Sequence, residues 1–193
     1  MINLEPQPHA LNRRSLLFGA AVGLPAALYG HGAAAQDAAD INAIIKSLAP
    51  INGQTVTGGY TPREPRSYIV SGRNITVDLY YQRDFEIYFD YDSARITAEA
   101  DTELKPLGRS LESPDLRAFS YLLAGHTDAA GSPAYNLALS ARRAEAVKMH
   151  LLENFAIEPI RLVTTGFGEQ QLKFLDKPLA ASNRRVQVLL IVS

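Results

Sequence analysis

The 193-residue sequence contains no cysteine. That absence excludes disulfides, Cys-ligated zinc, iron–sulfur clusters, thiol catalysis and lipid attachment through an N-terminal Cys. An excess of one charge is also missing, since 19 Lys and Arg oppose 20 Asp and Glu, for a formal charge of −1. So even a balance argues against a partner held by bulk electrostatics, such as duplex nucleic acid or an anionic membrane. The apolar run Leu16 to Tyr29 is 14 residues long and interrupted by Pro25, short of the roughly 20 residues that span a bilayer. Neither G-x-S-x-G nor H-E-x-x-H occurs, so the nucleophile-elbow and zinc-protease patterns are absent. Against these absences stand a hydrophobic fraction of 47% and a charged fraction of 20%. Both are ordinary globular usage, enough for one domain with extensions.

The first 35 residues have the layout of an address. Asn12-Arg13-Arg14-Ser15 is basic, Leu16 to Tyr29 is apolar and rich in Gly and Ala, and Ala33-Ala34-Ala35 supplies small residues for cleavage. That order predicts a cleaved export signal. The adjacent arginines followed by Leu16, Leu17 and Phe18 resemble a twin-arginine signal, which exports folded proteins. Removing residues 1–35 leaves a chain with a net charge of −2, expected in the periplasm, at the cell wall or outer membrane.

Residues 36–84 read as a lead-in. Ile41, Ile44, Ile45 and Leu48 have the spacing of a short amphipathic helix ended by Pro50. Tyr68 to Val70 and Ile75 to Tyr81 are β-prone, with Arg73, Asp78 and Arg83 suited to keeping an edge strand in water. From residue 85 onward strands and helices alternate. Strands are expected at Phe85–Phe89, Ala118–Ala124, Arg161–Thr165 and Arg185–Val192. Helices are expected at 97–112, kinked by Pro106, and from Ser132-Pro133 to about Phe155. Leu137, Ala141, Ala144, Val147 and Leu151 of the second helix should face the core. Such alternation implies crossover connections and an α/β sandwich.

Gly125-His126-Thr127-Asp128-Ala129-Ala130-Gly131 joins a strand to a helix N-terminus. Unpaired backbone N–H groups and the positive end of the helix dipole favour a carboxylate there, while Asp128 favours a cation. Asn136, Ser140 and Arg143 follow at +4 and +3, on one helix face. An acid, an amide and a cation thus converge, as a zwitterion requires: amine to Asp128, carboxylate to Arg143. The alternative on spacing alone is structural, with Asp128 capping the helix and pairing with Arg143. His126 and Asp128 are too few for a metal site. Asn183-Arg184-Arg185 before the last strand is either an ion-paired surface or the rim of the site.

These segments together resemble a known family. Phe89-Asp90-Tyr91-Asp92-Ser93, Gly125-His126-Thr127-Asp128 with Gly131, Tyr135-Asn136 and Leu139-Ser140-Ala141-Arg142-Arg143-Ala144 come first. Gly166-Phe167-Gly168-Glu169 and Asn183-Arg184-Arg185-Val186 complete the set. In this order they are similar to the OmpA-like peptidoglycan-binding domain of OmpA C-terminal regions, peptidoglycan-associated lipoproteins and MotB proteins. The likeness is centred on 85–193 and reaches back to about residue 75.

The resemblance implies an α/β (α+β) fold, a two-layer sandwich of βαβαβ type with a mixed sheet packed with helices. It also implies non-catalytic binding of peptidoglycan through meso-diaminopimelate in the stem peptide, with no cofactor and no metal. Carried over residue by residue, Asp128 meets the free amine and Arg143 the free carboxylate. Asn136 and Asp92 add polar contacts. Thr127, Ala129 and Ala130 contribute mainly backbone groups, and Arg184 and Arg185 stand at the rim. The chain lacks the lipobox Cys of the peptidoglycan-associated lipoprotein, and residues 36–84 hold neither a membrane span nor a barrel. A second partner, an envelope protein bound through 36–84, is the alternative to wall binding as the main role.

Overall fold

The structure is a computed structural model that describes residues 28–50, 61–87, 89, 90 and 92–193. The expected export signal lies for the most part outside them. The first helix, α1 (Leu28–Leu48), begins within its last residues. The chain continues through β1 (Pro65–Val70), β2 (Arg73–Phe85), α2 (Ala98–Glu112), β3 (Tyr121–His126), α3 (Pro133–Asn154), β4 (Leu162–Gly168) and β5 (Val186–Ile191). The five strands form one sheet in the order β1-β2-β5-β3-β4. Only β3 and β4, joined through α3, run parallel; the other neighbours are antiparallel. The architecture is the mixed-sheet α+β sandwich that the resemblance implies.

Local chemistry accounts for the element ends. Thr97 caps α2 by accepting from the Ala100 amide at 3.2 Å, with Glu99 and Asp101 in the first turn where the helix dipole favours acids. Pro106 sits inside α2, which nevertheless runs on to Glu112. Ser132 caps α3 through Tyr135 N–H, and Pro133 takes the first position, where its missing N–H costs nothing. Ser71 and Gly72, both at positive φ, make the two-residue turn between β1 and β2. Arg161, buried, donates to the carbonyls of Phe119, Leu116 and Leu111 at 2.8, 2.8 and 3.0 Å. It thereby satisfies one of the open carbonyls at the end of α2.

The helices cover one sheet face. Leu104, Leu107 and Leu111 of α2, Val147 and Leu151 of α3, and Ile44 and Leu48 of α1 pack there on Tyr121, Leu123, Val188 and Leu190. The other face has its own cover. Between Asp78 and Gln82 the register of β2 on β5 slips, and the strand bends. The bend is held by the buried Asp78 carboxylate, which accepts from the amides of Arg63, Glu64 and Tyr80 at 2.9–3.0 Å. Beyond it, Val70 and Val77 of the hairpin pack on Leu122, Ala124 and Leu189. β1 and β4 lie at opposite ends of the strand order, yet the Tyr68 and Phe167 rings are 4.8 Å apart. The sheet therefore curls until its edges approach.

Several sequence expectations are corrected here. The stretch read as a lead-in contributes β2, which pairs with β5 up to Phe85, in keeping with a likeness that reaches back to about residue 75. Asp78 is not an exposed edge charge but a buried staple. The strand expected at 85–89 is not seen among the described residues there: β2 ends at Phe85, and Phe89 makes an isolated bridge to Ile96. Leu137 and Ala141 face outward, because the inward stripe of α3 near the sheet consists of Asn136, Leu139, Ser140 and Arg143.

The approach of α3 to the sheet is too close for side chains on the strands. A Cβ on Gly125 would lie 2.0 Å from the Ser140 carbonyl oxygen, and one on Gly166 would lie 2.5 Å from the Ala141 amide nitrogen. Both obstacles are backbone, which cannot swing aside. Gly125→Ala is therefore expected to destabilise the fold by at least about 2 kcal/mol, read as a lowered urea midpoint; an unchanged midpoint would show that α3 does not sit this close.

Candidate functional site

At the C-terminal end of β3 the chain turns through 127–131 into α3. Facing that turn are the 89–96 segment and the residues just before β5. Between them lies a cleft of about 380 Å³, lined among others by Phe89, Asp92, Asp128, Tyr135, Arg143 and Arg184. The strands set the turn, the glycine-mediated contact sets α3, and so most of the residues expected to act together share one cavity, with Ala129 and Arg185 outside it.

Arg143 comes from about three turns into α3 and is only 7% exposed. Its Nε donates to the Ser93 carbonyl at 3.0 Å, and its guanidinium lies 4.9 Å from the Phe89 ring centroid. The terminal nitrogens of the fork make no hydrogen bond among the described residues, and Arg143 lines the cleft. Burial, and then the neighbouring Arg184, hold its pKa below the ordinary arginine value. It remains a cation, in a place where an incoming anion would relieve its desolvation.

Asp128 lines the same cleft. Its Oδ1 accepts from the Ala130 amide at 3.1 Å, and its Oδ2 pairs with Arg184 Nη1 at 2.7 Å. The structural alternative raised by spacing is thus corrected in both parts. Ser132, not Asp128, caps α3, and Asp128 pairs with Arg184 rather than Arg143. Asn136 is buried; its amide donates to the Asp128 carbonyl at 3.3 Å and to Glu169. It lines the cleft and at the same time fixes the turn that carries Asp128. Asp92, in the left-handed region at φ 50°, accepts from the Tyr135 hydroxyl.

The backbone groups expected to serve a ligand are largely occupied. Thr127 N–H donates to Gly168 O at 2.9 Å, Ala129 N–H to Pro178 O at 3.0 Å, and Ala130 N–H to Asp128. Ala129 does not line the cleft, while Thr127 and Ala130 do. The two rim arginines divide. Arg184 borders the cleft, with its side chain 44% exposed. Arg185 is turned inward, where it pairs with Asp84 at 3.2 Å and donates to the Gln171 carbonyl at 3.3 Å. Asn183 ends a short 3-10 turn (Ala181–Asn183), and Arg184 follows it in an extended conformation. Among the described residues no group of three His, Asp or Glu side chains could hold a metal ion.

Phe89, Tyr135 and Leu139 are cleft residues that the sequence reading did not single out. A signal for two of them was present: Tyr135, Leu139 and Arg143 recur at i, i+4 and i+8, one face of a helix. No sequence period relates Phe89 to that face.

His126, beside the site, is 1% exposed and makes no hydrogen bond of standard geometry through its ring. Burial and the Arg185 charge push its pKa from 6.5 down to about 4, against the weaker pull of Asp84, Gln187 and the Gln171 backbone. The folded state therefore excludes a proton that the unfolded chain accepts. Stability should be complete above pH 6.5 and fall as pH drops toward 4, by a loss on the order of 3 kcal/mol. Urea titrations at several pH values should show this slope, and His126→Gln should flatten it.

Comparison with known proteins agrees with this architecture. A profile described as the OmpA family matches residues 88–185, just over half of the chain. Outer membrane protein A of Bordetella avium is 32% identical over 110 residues, which cover 56% of this chain and 55% of that protein. The peptidoglycan-associated lipoprotein of Haemophilus influenzae is 35% identical over 106 residues, 54% of this chain and 67% of that one. Among solved structures, the peptidoglycan-associated lipoprotein of Burkholderia pseudomallei is 29% identical. It aligns over 56% of this chain and 89% of its own, with a TM-score of 0.48. The chain spans 55% of the Bordetella protein and only 29% of the outer membrane porin F of Pseudomonas aeruginosa. With the strand order, the glycine contacts and the spacing of the cleft residues, the match over 88–185 makes this chain a member of the OmpA family.

Proposed function

We propose that this protein binds cell-wall peptidoglycan, without catalysis, by gripping the diaminopimelate zwitterion of a stem peptide. The observation that carries the proposal is the buried Arg143 guanidinium, whose terminal nitrogens make no hydrogen bond among the described residues, in a residue that lines one cleft together with Asp128. Arg143 takes the free carboxylate as a fork, and Asp128 takes the free amine. Asn136 holds the Asp128 turn in place, and the Phe89 ring braces the guanidinium. The similarity to proteins named peptidoglycan-associated lipoproteins supports the same ligand class. Each charge-assisted hydrogen bond is worth roughly 1.5–3 kcal/mol, so the second carboxylate gives diaminopimelate stems an advantage over lysine stems of about one to two decades. Affinity at a single site stays modest, and retention on a polymer comes from rebinding and avidity.

The test is co-sedimentation of the chain with purified diaminopimelate-type sacculi. Wild type should pellet, whereas Asp128→Ala and Arg143→Ala, shown to be folded, should each lose at least about tenfold in apparent affinity. Equal pelleting of all three would place the wall contact elsewhere.

The compartment follows from the same ligand, which lies outside the cytoplasmic membrane. Residues 1–35 would deliver the chain there by the twin-arginine route. Replacing Arg13 and Arg14 by Lys should then leave the full-length chain in the cytoplasmic fraction, while wild type appears in the periplasm shortened by about 35 residues. Unimpaired export of the double-Lys chain would refute that route.

A further inference from the structure

The carboxylate assigned to a ligand amine already has a cation on it. Arg184 Nη1 sits 2.7 Å from Asp128 Oδ2, with the Asp128 side chain 14% exposed. Oδ1 already holds the Ala130 amide and Oδ2 holds Arg184, so an amine that takes Oδ2 displaces Arg184, and binding there is an exchange of ion partners rather than the filling of an empty site. Resting on the zwitterion site proposed above, we infer that Arg184 is a specificity-determining residue, an internal competitor that an amine displaces at low cost only when it arrives with a second carboxylate.

The charge balance gives the reason. Before binding, Asp128 and Arg184 satisfy each other, and Arg143 holds only the Ser93 carbonyl and the Phe89 ring. A lysine-type stem brings one amine. It replaces one ion pair by another and leaves Arg184 without its partner. A diaminopimelate stem brings the amine together with a carboxylate, and both Arg143 and Arg184 border the cleft to receive it. The two arginines then share that carboxylate while Asp128 holds the amine, so no cation is left without an anion beside it, and the exchange runs downhill.

Other charges could spoil this scheme, and the structure accounts for most of them. Asp92 accepts from the Tyr135 hydroxyl. Glu86, on the far side of Arg184, has Lys173 at 3.9 Å. Asp90 is the remaining acid on the cleft wall.

The displacement is mechanically easy. The neighbours of Arg184 are anchored: Asn183 is fully buried, bonding to Phe174 N–H and to the carbonyls of Lys177 and Pro178, and Arg185 is tied to Asp84 and Gln171. Arg184 points the other way and is 44% exposed, so its side chain swings while its backbone stays. A partly exposed pair of this kind contributes modestly, which sets the scale of the effect.

The experiment is calorimetric titration with two soluble tripeptides, L-Ala-γ-D-Glu-meso-diaminopimelate and L-Ala-γ-D-Glu-L-Lys. They share the side-chain amine, the C-terminal carboxylate and the glutamate α-carboxylate, and differ only in the second carboxylate that diaminopimelate carries beside that amine. Wild type should prefer the diaminopimelate peptide. Arg184→Met should bind the lysine peptide about threefold to fivefold more tightly and the diaminopimelate peptide no better, so that selectivity narrows. Arg184→Lys should restore most of the preference.

If Arg184→Met weakens both peptides by the same factor, Arg184 merely contacts a group they share, and the competitor role is overturned. If it changes neither, the Asp128 pair has no bearing on binding and the inference is equally overturned, although the zwitterion site stands. If wild type binds neither tripeptide, or if Asp128→Ala binds both as well as wild type does, the zwitterion site itself fails.

Discussion

The close seating of α3 on β3 and β4 is the contact on which the rest of the molecule depends. Backbone meets backbone there: the Ser140 carbonyl stands where a Cβ of residue 125 would go, and the Ala141 amide where one of residue 166 would go. Ser140 adds a hydrogen bond, its hydroxyl accepting from Gly168 N–H at 2.9 Å. The helix is thus held at a fixed height and rotation over the parallel pair. Arg143, one turn beyond Ser140 and its neighbours, then emerges beside the turn that carries Asp128. A helix lifted by one side-chain layer would still pack, but its cation and the acid of the turn would no longer share a cleft.

Around that contact the polar groups divide their labour by side of the chain. Asn183 and Arg185 face inward and lace the 169–183 segment to the sheet, while Arg184 between them faces the cleft. Asn136 is buried and holds the Asp128 carbonyl, while Tyr135 beside it is exposed and reaches Asp92. The buried members make the site rigid, and the exposed ones leave it able to exchange partners. Desolvation does the remaining work. It keeps Arg143 a poorly compensated cation and keeps His126 neutral over most of the pH range in which the protein is folded.

Much of this was legible in the chain. The α3 boundaries follow from Ser132, Pro133 and the apolar spacing, and the helix ends one residue short of the expected Phe155. The convergence of Asp128, Asn136 and Arg143 follows from a strand-to-helix turn and a period of 3.6 residues, and the three do line one cleft. The lead-in was misjudged because its strands bury only a few large side chains each. A long, bent strand with Arg73, Asp78 and Arg83 looks from its sequence like an edge, although β2 lies inside the sheet. The outward positions of Leu137 and Ala141 were hidden for a related reason. Hydrophobicity marks an inward face, but here the inward face near the strands is largely polar, because Asn136 and Arg143 line a cleft and Ser140 packs on the strand glycines.

The sequence by itself determined the elements, the family and the set of groups able to meet a zwitterion, since capping, periodicity and motif spacing act over a few residues. Only the tertiary structure decided the pairings. Asp128 and Arg184 are separated by 56 residues, and Arg143 and Ser93 by 50. No local rule couples positions so far apart; the curl of the sheet and the depth of α3 do, because packing leaves a charged side chain few places in which its hydrogen bonds can be met.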